Sequence, residues 1–441
     1  MKTSRRIFLK TGSLAALSSG SGCCFRVSDK PSQVRVNDVH TQLNPTFVRK
    51  ISAARSLDAL RQIVHRARRE RRPASVAGSR HAAGGQQFAT DVGLIDTRTL
   101  NRILHFDSEA RTIEVESGIQ WPELMGFLFK TQRARMPARA IAQKQTGTDR
   151  LSIGGALAAN AHGRGLRLPP FISNFESFVL VDANGNCQVC SRKQDPELFK
   201  LVIGGYGLFG IVYSVKLRLV PRRRVRCVVK LLDAEELPSA LAGCVRDGFL
   251  SGDFQFAVDS MSDAFLRRGI LSCYEPVSDE TPIPAEQRKL SAQDWKDLRY
   301  LVHVDPTRAF EKHVKHYLAT SGQIYWSDTQ YASDYFEDYH RDLDARLGGK
   351  EPATEVIGEL FVPRFLTEAR EDFSRNNIVV IYGTIRLIEQ DNESFLAWAK
   401  QSYACVTFNI HTPHTSEGVA RTANAFRHLI DTAIEVGGSF I

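Results

Sequence analysis

Three clusters of glycine and other small residues lie between residues 76 and 210 and could hold a phosphate or a flat ring. The first is Val76-Ala77-Gly78-Ser79-Arg80-His81-Ala82-Ala83-Gly84-Gly85-Gln86-Gln87-Phe88. Small residues let backbone N–H groups approach an anion closely, so this run could form a phosphate-binding loop. Glycine-rich turns are common, and this cluster alone is not specific.

The second cluster begins with Thr146 and Gly147 and continues through Ser152, Gly154 and Gly155. It ends in Asn160-Ala161-His162-Gly163. Small residues in such number would let the backbone lie flat against a planar ring system. Tight packing of a helix is the alternative explanation.

The third cluster, Gly205-Tyr206-Gly207-Leu208-Phe209-Gly210, satisfies the G-x-G-x-x-G pattern of dinucleotide-binding proteins. A Rossmann site needs a strand before this pattern and a helix after it. Residues 211–219, which start at Ile211, instead alternate apolar and polar side chains as a strand does. The sequence therefore argues against a Rossmann fold.

The elements around these clusters predict an α+β fold with helices among short strands. Residues 56–70 predict a helix, with Ser56 as its cap and Leu57, Leu60, Ile63, Val64 and Ala67 on one apolar face. Asn184-Gly185 predicts the turn of a hairpin over residues 178–190. The remaining predicted elements are strands at 74–77, 93–96, 103–107, 112–117 and 211–220, and a helix at 121–130.

The character of the chain changes after Pro221, where we place a domain boundary. Two β-α-β halves predict an antiparallel sheet covered by helices. The predicted strands are 253–259, 266–275, 355–362, 378–388 and 404–411; the predicted helices are 234–247, 366–374, 393–402 and 417–435. Residues after 275 form a polar stretch.

In combination, the three clusters resemble the vanillyl-alcohol oxidase superfamily over residues 44–221. Gly78-Ser79-Arg80-His81 resembles its pyrophosphate loop. Residues 152–156 and 161–163 are similar to the segment along the flavin in aldonolactone oxidases, alditol oxidases and decaprenylphosphoryl-ribose oxidases. Residues 195–199 followed by 204–212 resemble the stretch at the adenine end. The resemblance implies a PCMH-type two-part domain that binds FAD, followed by a substrate or cap domain over 222–441.

The resemblance also implies roles for three side chains. His81 stands where many relatives attach the flavin covalently, although it could instead only pack against the phosphates. His162 corresponds to a flavin-site hydrogen-bonding residue rather than a base. Arg386, in Tyr382-Gly383-Thr384-Ile385-Arg386, matches the arginine of an E-x-R strand that lines the substrate side. Thr384 replaces the glutamate of that motif, and a surface arginine is the alternative for Arg386.

The implied function is oxidation of a CH–OH group in a sugar-derived alcohol or aldonolactone, by hydride transfer to FAD. The partners would be a small-molecule substrate and an unidentified electron acceptor. Relatives continue beyond the last helix into a segment that returns to the flavin, whereas this sequence stops at Ile441. An impaired FAD-binding protein left by truncation is therefore one alternative, and amine oxidation like that of cytokinin dehydrogenases is another.

The N-terminus, Ser4-Arg5-Arg6-Ile7-Phe8-Leu9-Lys10, indicates a twin-arginine signal within residues 1–30. We therefore expect export to the periplasm or cell envelope, with a membrane anchor only if the leader is retained or Cys23 is lipidated. Residues 1–30 hold six Lys and Arg against one Asp, which is +5 of the net charge of +9. Most of the positive charge thus belongs to the predicted signal, and the remainder gives no reason to expect nucleic-acid binding.

Cys187 and Cys190 lack the further ligands of a zinc site, so no metal site is predicted.

Overall fold

The N-terminal part of the protein builds two small sheets and one larger sheet. The computed structural model describes residues 33–133, 137–145, 149–331, 339–362 and 366–440. The predicted leader and two predicted site residues, Thr146 and Gly147, lie outside these ranges. Strands β1 (Val34–Val36) and β2 (Thr46–Val48) form an antiparallel pair.

A three-stranded parallel sheet carries the first glycine cluster. Its strands are β3 (Lys50–Ala53), β4 (Ala74–Ala77) and β5 (Gly93–Asp96), in the order β3-β5-β4. Helix α1 (Leu57–Arg69) connects β3 to β4, and the Ser56 hydroxyl accepts a hydrogen bond from the Ala59 N–H, as predicted. Leu60 and Val64 bury its apolar face. The cluster follows β4 directly, so the parallel sheet positions it.

The larger N-terminal sheet is antiparallel and has six strands. The strands are β6 (Ile103–Asp107), β7 (Thr112–Glu116), β8 (Arg139–Ile141), β9 (Phe175–Val181), β10 (Cys187–Ser191) and β11 (Ile211–Pro221). The order is β10-β9-β11-β7-β6, with β8 paired to the end of β11. Helices α2 (Trp121–Thr131), α3 (Ile153–Ala158) and α4 (Pro196–Val202) accompany it. The predicted hairpin is confirmed by the pairing of β9 with β10.

The chain leaves this sheet at Pro221 and enters an eight-stranded antiparallel sheet at Arg224. The strand order is β15-β12-β14-β13-β17-β18-β16-β19. The strands are β12 (Arg224–Asp233), β13 (Ser251–Phe256), β14 (Arg268–Pro276), β15 (Ile324–Trp326), β16 (Ala353–Val362), β17 (Val380–Ile388), β18 (Tyr403–Pro413) and β19 (Ser439–Phe440). Its helices are α5 (Leu237–Arg246), α6 (Ala292–Val304), α7 (Pro306–Thr320), α8 (Tyr339–Leu347), α9 (Leu366–Arg375) and α10 (Ser416–Glu435).

The two faces of the eight-stranded sheet differ in chemistry. Successive side chains of a strand point to opposite faces. One face packs apolar residues, including Phe254, Leu360 and Phe408, against α5, α9 and α10. The other face carries buried polar side chains at the alternate positions: Asp253, Gln255, Glu355, Glu359, Thr384, Arg386 and Thr407. A sheet of this kind can hold a polar site on one face while the opposite face supplies the core.

The helix predicted over residues 393–402 is wrong. The Asp391 carboxylate accepts hydrogen bonds from the backbone N–H groups of Glu393 and Ser394, which holds the segment in a turn. The Asn160 amide donates to Asp391 Oδ2, and the Trp398 indole N–H donates to the Asn160 carbonyl oxygen. These side-chain bonds give the backbone an alternative to the helix.

The polar stretch after residue 275 contains two helices, α6 and α7, that the sequence analysis did not predict. Helix α6 begins with a reciprocal capping box between Ser291 and Asp294. Helix α7 follows with Asp305 as its cap and Pro306 in its first turn. Throughout the ranges that the structure describes, no helix has both the length and the apolar character required to cross a bilayer.

Phe408 provides a test of the apolar side of this sheet. It is fully buried, with ring centroids 5.6 Å from Phe256 and 5.0 Å from Phe373. We expect Phe408→Ala to lower the free energy of unfolding by about 3–5 kcal/mol, since it leaves a cavity. Urea denaturation measures the change. The matched control is Phe395→Ala, because the Phe395 side chain is 66% exposed. Equal losses of unfolding free energy in the two variants would contradict the assigned core.

Candidate active site

The first two glycine clusters lie against each other. A Cβ atom added at Gly78 would lie 2.2 Å from the Ser152 hydroxyl oxygen, so the backbone there approaches as only glycine allows. Ser152 caps α3, and the Gly155 N–H donates to its hydroxyl. The Gly154 N–H donates to the Ser117 carbonyl oxygen at 2.7 Å. The loop after β4, the end of β7 and the start of α3 therefore meet.

The third cluster packs against the other end of α3. The Gly204 N–H donates to the Leu157 carbonyl oxygen at 3.1 Å, and the Tyr206 N–H donates to that of Ala158 at 3.0 Å. A Cβ atom added at Gly207 would lie 3.4 Å from the Val76 side chain. After Gly210, Ile211 begins strand β11, which confirms the argument against a Rossmann fold. The structure thus gathers all three clusters around one short helix.

Several polar atoms beside these clusters lack a protein partner. Arg80 Nε, the Ser117 hydroxyl and both polar atoms of the Gln87 amide are buried without a hydrogen bond to the described residues. Ser79 accepts a hydrogen bond from the Gln120 amide at 3.0 Å, and the Ala82 carbonyl oxygen accepts from the Gly85 N–H, which closes a turn around Gly84. Buried polar groups without partners are costly. The unpartnered donors fit the oxygen-rich diphosphate expected from the sequence.

His81 forms a pair with His40. His81 Nδ1 lies 3.0 Å from His40 Nε2, and the two rings meet edge to face. Burial, with a smaller contribution from His40, lowers the pKa of His81 to about 3. The His81 ring is therefore neutral at physiological pH.

Two predicted site residues, His162 for the flavin and Arg386 for the substrate side, meet through a glutamate that the sequence analysis missed. His162 lies four residues beyond α3 and is 2% exposed. Its Nε2 lies 3.0 Å from Glu359 Oε2, and its Nδ1 lies 3.0 Å from the Gly163 carbonyl oxygen. Glu359 Oε1 lies 3.7 Å from Arg386 Nη1. His162, Glu359 and Arg386 form the ionic cluster of the candidate site.

This cluster is charged at neutral pH. Burial by itself lowers the pKa of His162, but the neighbouring Glu359 carboxylate and Cys405 raise it to about 10. Burial by itself raises the pKa of Glu359, but His162, Arg386 and Thr407 lower it to about 2. His162 is consequently an imidazolium that donates a hydrogen bond from Nε2 to Glu359 Oε2.

Arg386 is a buried residue and not a surface arginine. It is 3% exposed, and its Nε and Nη1 atoms make no hydrogen bond to the residues that the structure describes. Thr384, on the same face of β17, pairs across the sheet with Thr407, which in turn pairs with Glu359. Glu359, two strands away from position 384, places a carboxylate beside Arg386.

Further buried charges that the sequence analysis missed surround this cluster. Lys144 is fully buried and pairs with Asp149, and Arg164 Nη1 lies 2.8 Å from Asp253 Oδ1. Together with the ionic cluster, these residues supply four cationic groups against three carboxylates. The sequence of β16 contained a usable signal, because Glu355 and Glu359 share one face of a mostly apolar strand.

Comparison with known proteins agrees with this geometry. The FAD binding domain family matches residues 49–191. Rice (Oryza sativa subsp. japonica) L-galactono-1,4-lactone dehydrogenase 2 is 27% identical over 202 residues, which cover 46% of this chain and 33% of the rice protein. Bovine (Bos taurus) L-gulonolactone oxidase is 25% identical over 167 residues, covering 38% of this chain and 36% of the bovine protein. Rice cytokinin dehydrogenase 2 is 28% identical over 155 residues, covering 33% and 26%.

The matched stretches span only about a third of the length of these relatives. The family match includes the cluster after β4, the end of β7 and helix α3, where the buried donors lie. These residues fit FAD, with Arg80, Gln87 and Ser117 available to its diphosphate. Residues 49–191 therefore form a PCMH-type FAD-binding domain of the vanillyl-alcohol oxidase superfamily, and the chain resembles the aldonolactone oxidases of that superfamily.

Proposed function

We propose that this chain is an FAD-dependent oxidoreductase that oxidises a CH–OH group of a sugar-derived alcohol or an aldonolactone. The observation that carries the proposal is the buried Arg386, which presents two unpartnered N–H donors beside the Glu359 carboxylate. The two groups together can bind a substrate hydroxyl and an adjacent oxygen. They lie on the polar face of the eight-stranded sheet, beside the segment that follows α3.

FAD, when bound, supplies the acceptor for the hydride that leaves the substrate carbon. Arg386 donates hydrogen bonds from Nε and Nη1 to oxygens that gain negative charge during the transfer. Glu359 Oε1 accepts the hydrogen bond of the substrate hydroxyl, orients the carbon that loses the hydride, and takes up the hydroxyl proton as the carbonyl forms. His162 keeps Glu359 ionised and holds its other oxygen in place.

The charge of the site supports an oxygen-rich substrate. Four cationic groups against three carboxylates leave a positive excess, which stabilises negative charge on a lactone, a sugar oxygen or a reduced ring system. The names of the rice dehydrogenase and the bovine oxidase point to lactone substrates. The similarity to a cytokinin dehydrogenase supports amine oxidation as a second candidate.

Anaerobic reduction of the bound flavin tests the proposal. The purified yellow protein is mixed with aldonolactones, sugar alcohols or adenine-type amines, and the visible flavin absorbance is followed. We expect bleaching by a lactone or sugar alcohol. Arg386→Gln should slow that bleaching by about 100-fold or more, because a donor to developing charge is lost.

Arg218→Gln is the matched control, since Arg218 is partly exposed and pairs with Glu176 at the surface; its rate should equal that of the wild type. Reduction by an amine but by no lactone or sugar alcohol would instead establish the amine alternative. A flavin that dithionite reduces but no organic substrate reduces would identify a binding protein without this activity.

The ionic cluster predicts a pH-dependent contribution to stability. The His162 pKa is raised from 6.5 to about 10, so its contribution is complete below pH 6.5 and is lost as pH rises through about 10. The Glu359 pKa is lowered from 4.5 to about 2, so its contribution is complete above pH 4.5 and is lost as pH falls through about 2. The two windows overlap between pH 4.5 and 6.5.

We expect Glu359→Gln to lower the free energy of unfolding by about 3–5 kcal/mol within that overlap, because it leaves buried cations uncompensated. The difference from the wild type should shrink towards pH 2 and towards pH 10. Urea denaturation at a series of pH values measures it, with the exposed Glu109→Gln as control. A difference that does not vary with pH would contradict the assigned ion pair.

We also propose that FAD is attached covalently through His81. A neutral imidazole nitrogen is required for such a bond, and His81 is held neutral. Acid precipitation of the wild-type protein should leave the yellow colour in the pellet, whereas His81→Ala should release it to the supernatant. His105→Ala, at an exposed histidine, should behave as the wild type does. Wild-type colour found wholly in the supernatant would exclude the covalent bond.

A further inference from the structure

A second group of buried polar side chains gathers on the same sheet face, away from the ionic cluster. His303 comes from α6, Glu355 from β16 and His411 from β18. Glu355 and His411 are direct partners in the pairing of β16 with β18, and the His303 and His411 rings have centroids 4.5 Å apart. One ligand-type atom of each residue lies within 4.8 Å of the other two.

The atoms that face one another in this group lack hydrogen bonds. Glu355 is 3% exposed, yet its Oε1 has no hydrogen-bond partner, and neither has His411 Nδ1, within the described residues. These two atoms lie 3.5 Å apart. Two ligands of a tetrahedral zinc ion, each about 2.0–2.1 Å from the metal, lie about 3.4 Å apart. The spacing is therefore that of two ligands with an ion between them.

The other oxygen of Glu355 is already occupied. The Tyr339 hydroxyl donates to Glu355 Oε2, and His340 Nδ1 lies 2.8 Å from the same oxygen. Both residues stand at the start of α8. Such outer contacts fix the orientation of a carboxylate ligand. They direct Oε1 towards His303 and His411.

We propose that His303, Glu355 and His411 bind a divalent transition-metal ion, with Zn²⁺ preferred. Imidazole and carboxylate ligands suit Zn²⁺, and two histidines with one glutamate leave a fourth position for water or a ligand. Glu355 and Glu359 lie four residues apart on one face of β16, which is about 13 Å along the strand. The metal site is thus separate from the ionic cluster.

The ion would also fasten α6 to the sheet. The side chains of helix α6 are at most half-buried. A bond from His303 to an ion shared with β16 and β18 would link the helix directly to the sheet. By contrast, His162, Glu359 and Cys405 also converge, but Glu359 is already paired with His162 and Arg386. That group belongs to the ionic cluster.

Calorimetric titration with ZnCl₂ tests the proposal. The full chain is prepared without a histidine tag, treated with EDTA and exchanged into metal-free buffer. We expect the wild type to bind zinc at a site that His303→Ala and Glu355→Gln each weaken by at least about tenfold. His105→Ala, at an exposed histidine, is the control for non-specific binding and should match the wild type.

The thermal unfolding midpoint provides an independent readout. Zinc should raise the midpoint of the wild type and of His105→Ala, because the ion binds the folded chain only. It should raise the midpoint of His303→Ala by clearly less, because the variant binds zinc more weakly. The proposal is overturned if the wild type binds no zinc up to about 1 mM, a concentration far above the dissociation constant of a structural zinc site. Equal zinc binding by the wild type and by His303→Ala overturns it as well. The flavin absorbance of every sample shows that a metal result is not due to loss of FAD.

Discussion

The buried carboxylate of Glu359 is the interaction on which the candidate site depends. It lies on β16, but the imidazolium that compensates its charge comes from the segment after α3. A carboxylate in such a place requires a cation and hydrogen bonds, since its desolvation is otherwise costly. Separation of the FAD-binding domain from the eight-stranded sheet would leave this carboxylate without its imidazolium partner, so the ion pair favours their contact. Arg386 completes the compensation from the sheet side.

The glycine clusters meet a different requirement, that of close backbone approach. At Gly78 a single added carbon would collide with the Ser152 hydroxyl, and at Gly154 it would lie 2.8 Å from Ser117 Cβ. Larger residues would separate the loop after β4 from the start of α3. The position of these loops and the position of His162 are coupled, because α3 lies between them. Cofactor binding and the orientation of the ionic cluster thus share one support.

The sequence predicted much of the fold where local patterns and tertiary packing agree. Ser56 caps α1, and the Asn184-Gly185 turn joins β9 to β10 as expected. It failed at residues 393–402, where Asp391 and Asn160 impose a turn on a segment with helical composition. Ser291 and Asp305 cap α6 and α7, but these helices lie in a stretch for which the sequence analysis predicted only polar character.

The candidate site was only partly predictable, for a physical reason. His162 and Arg386 could be chosen because each stands in a local motif, but Glu359 joins them through strand pairing between distant segments. The same holds for His303, Glu355 and His411, which share no short motif. Register across a sheet decides which side chains meet, and a single sequence does not contain that register. Only Glu355 and Glu359, four residues apart on one face of β16, gave a local indication.

Asn160 links the end of α3 to the loop that follows β17. It is fully buried with a left-handed backbone, and its amide accepts from the Ile172 N–H while donating to Asp391. The turn at 391–398 has no regular secondary structure of its own, and Asn160 is one of the residues that hold it, through its side chain at Asp391 and its carbonyl oxygen at Trp398. A larger or apolar residue at position 160 would therefore disturb the loop after β17 as well as the end of α3.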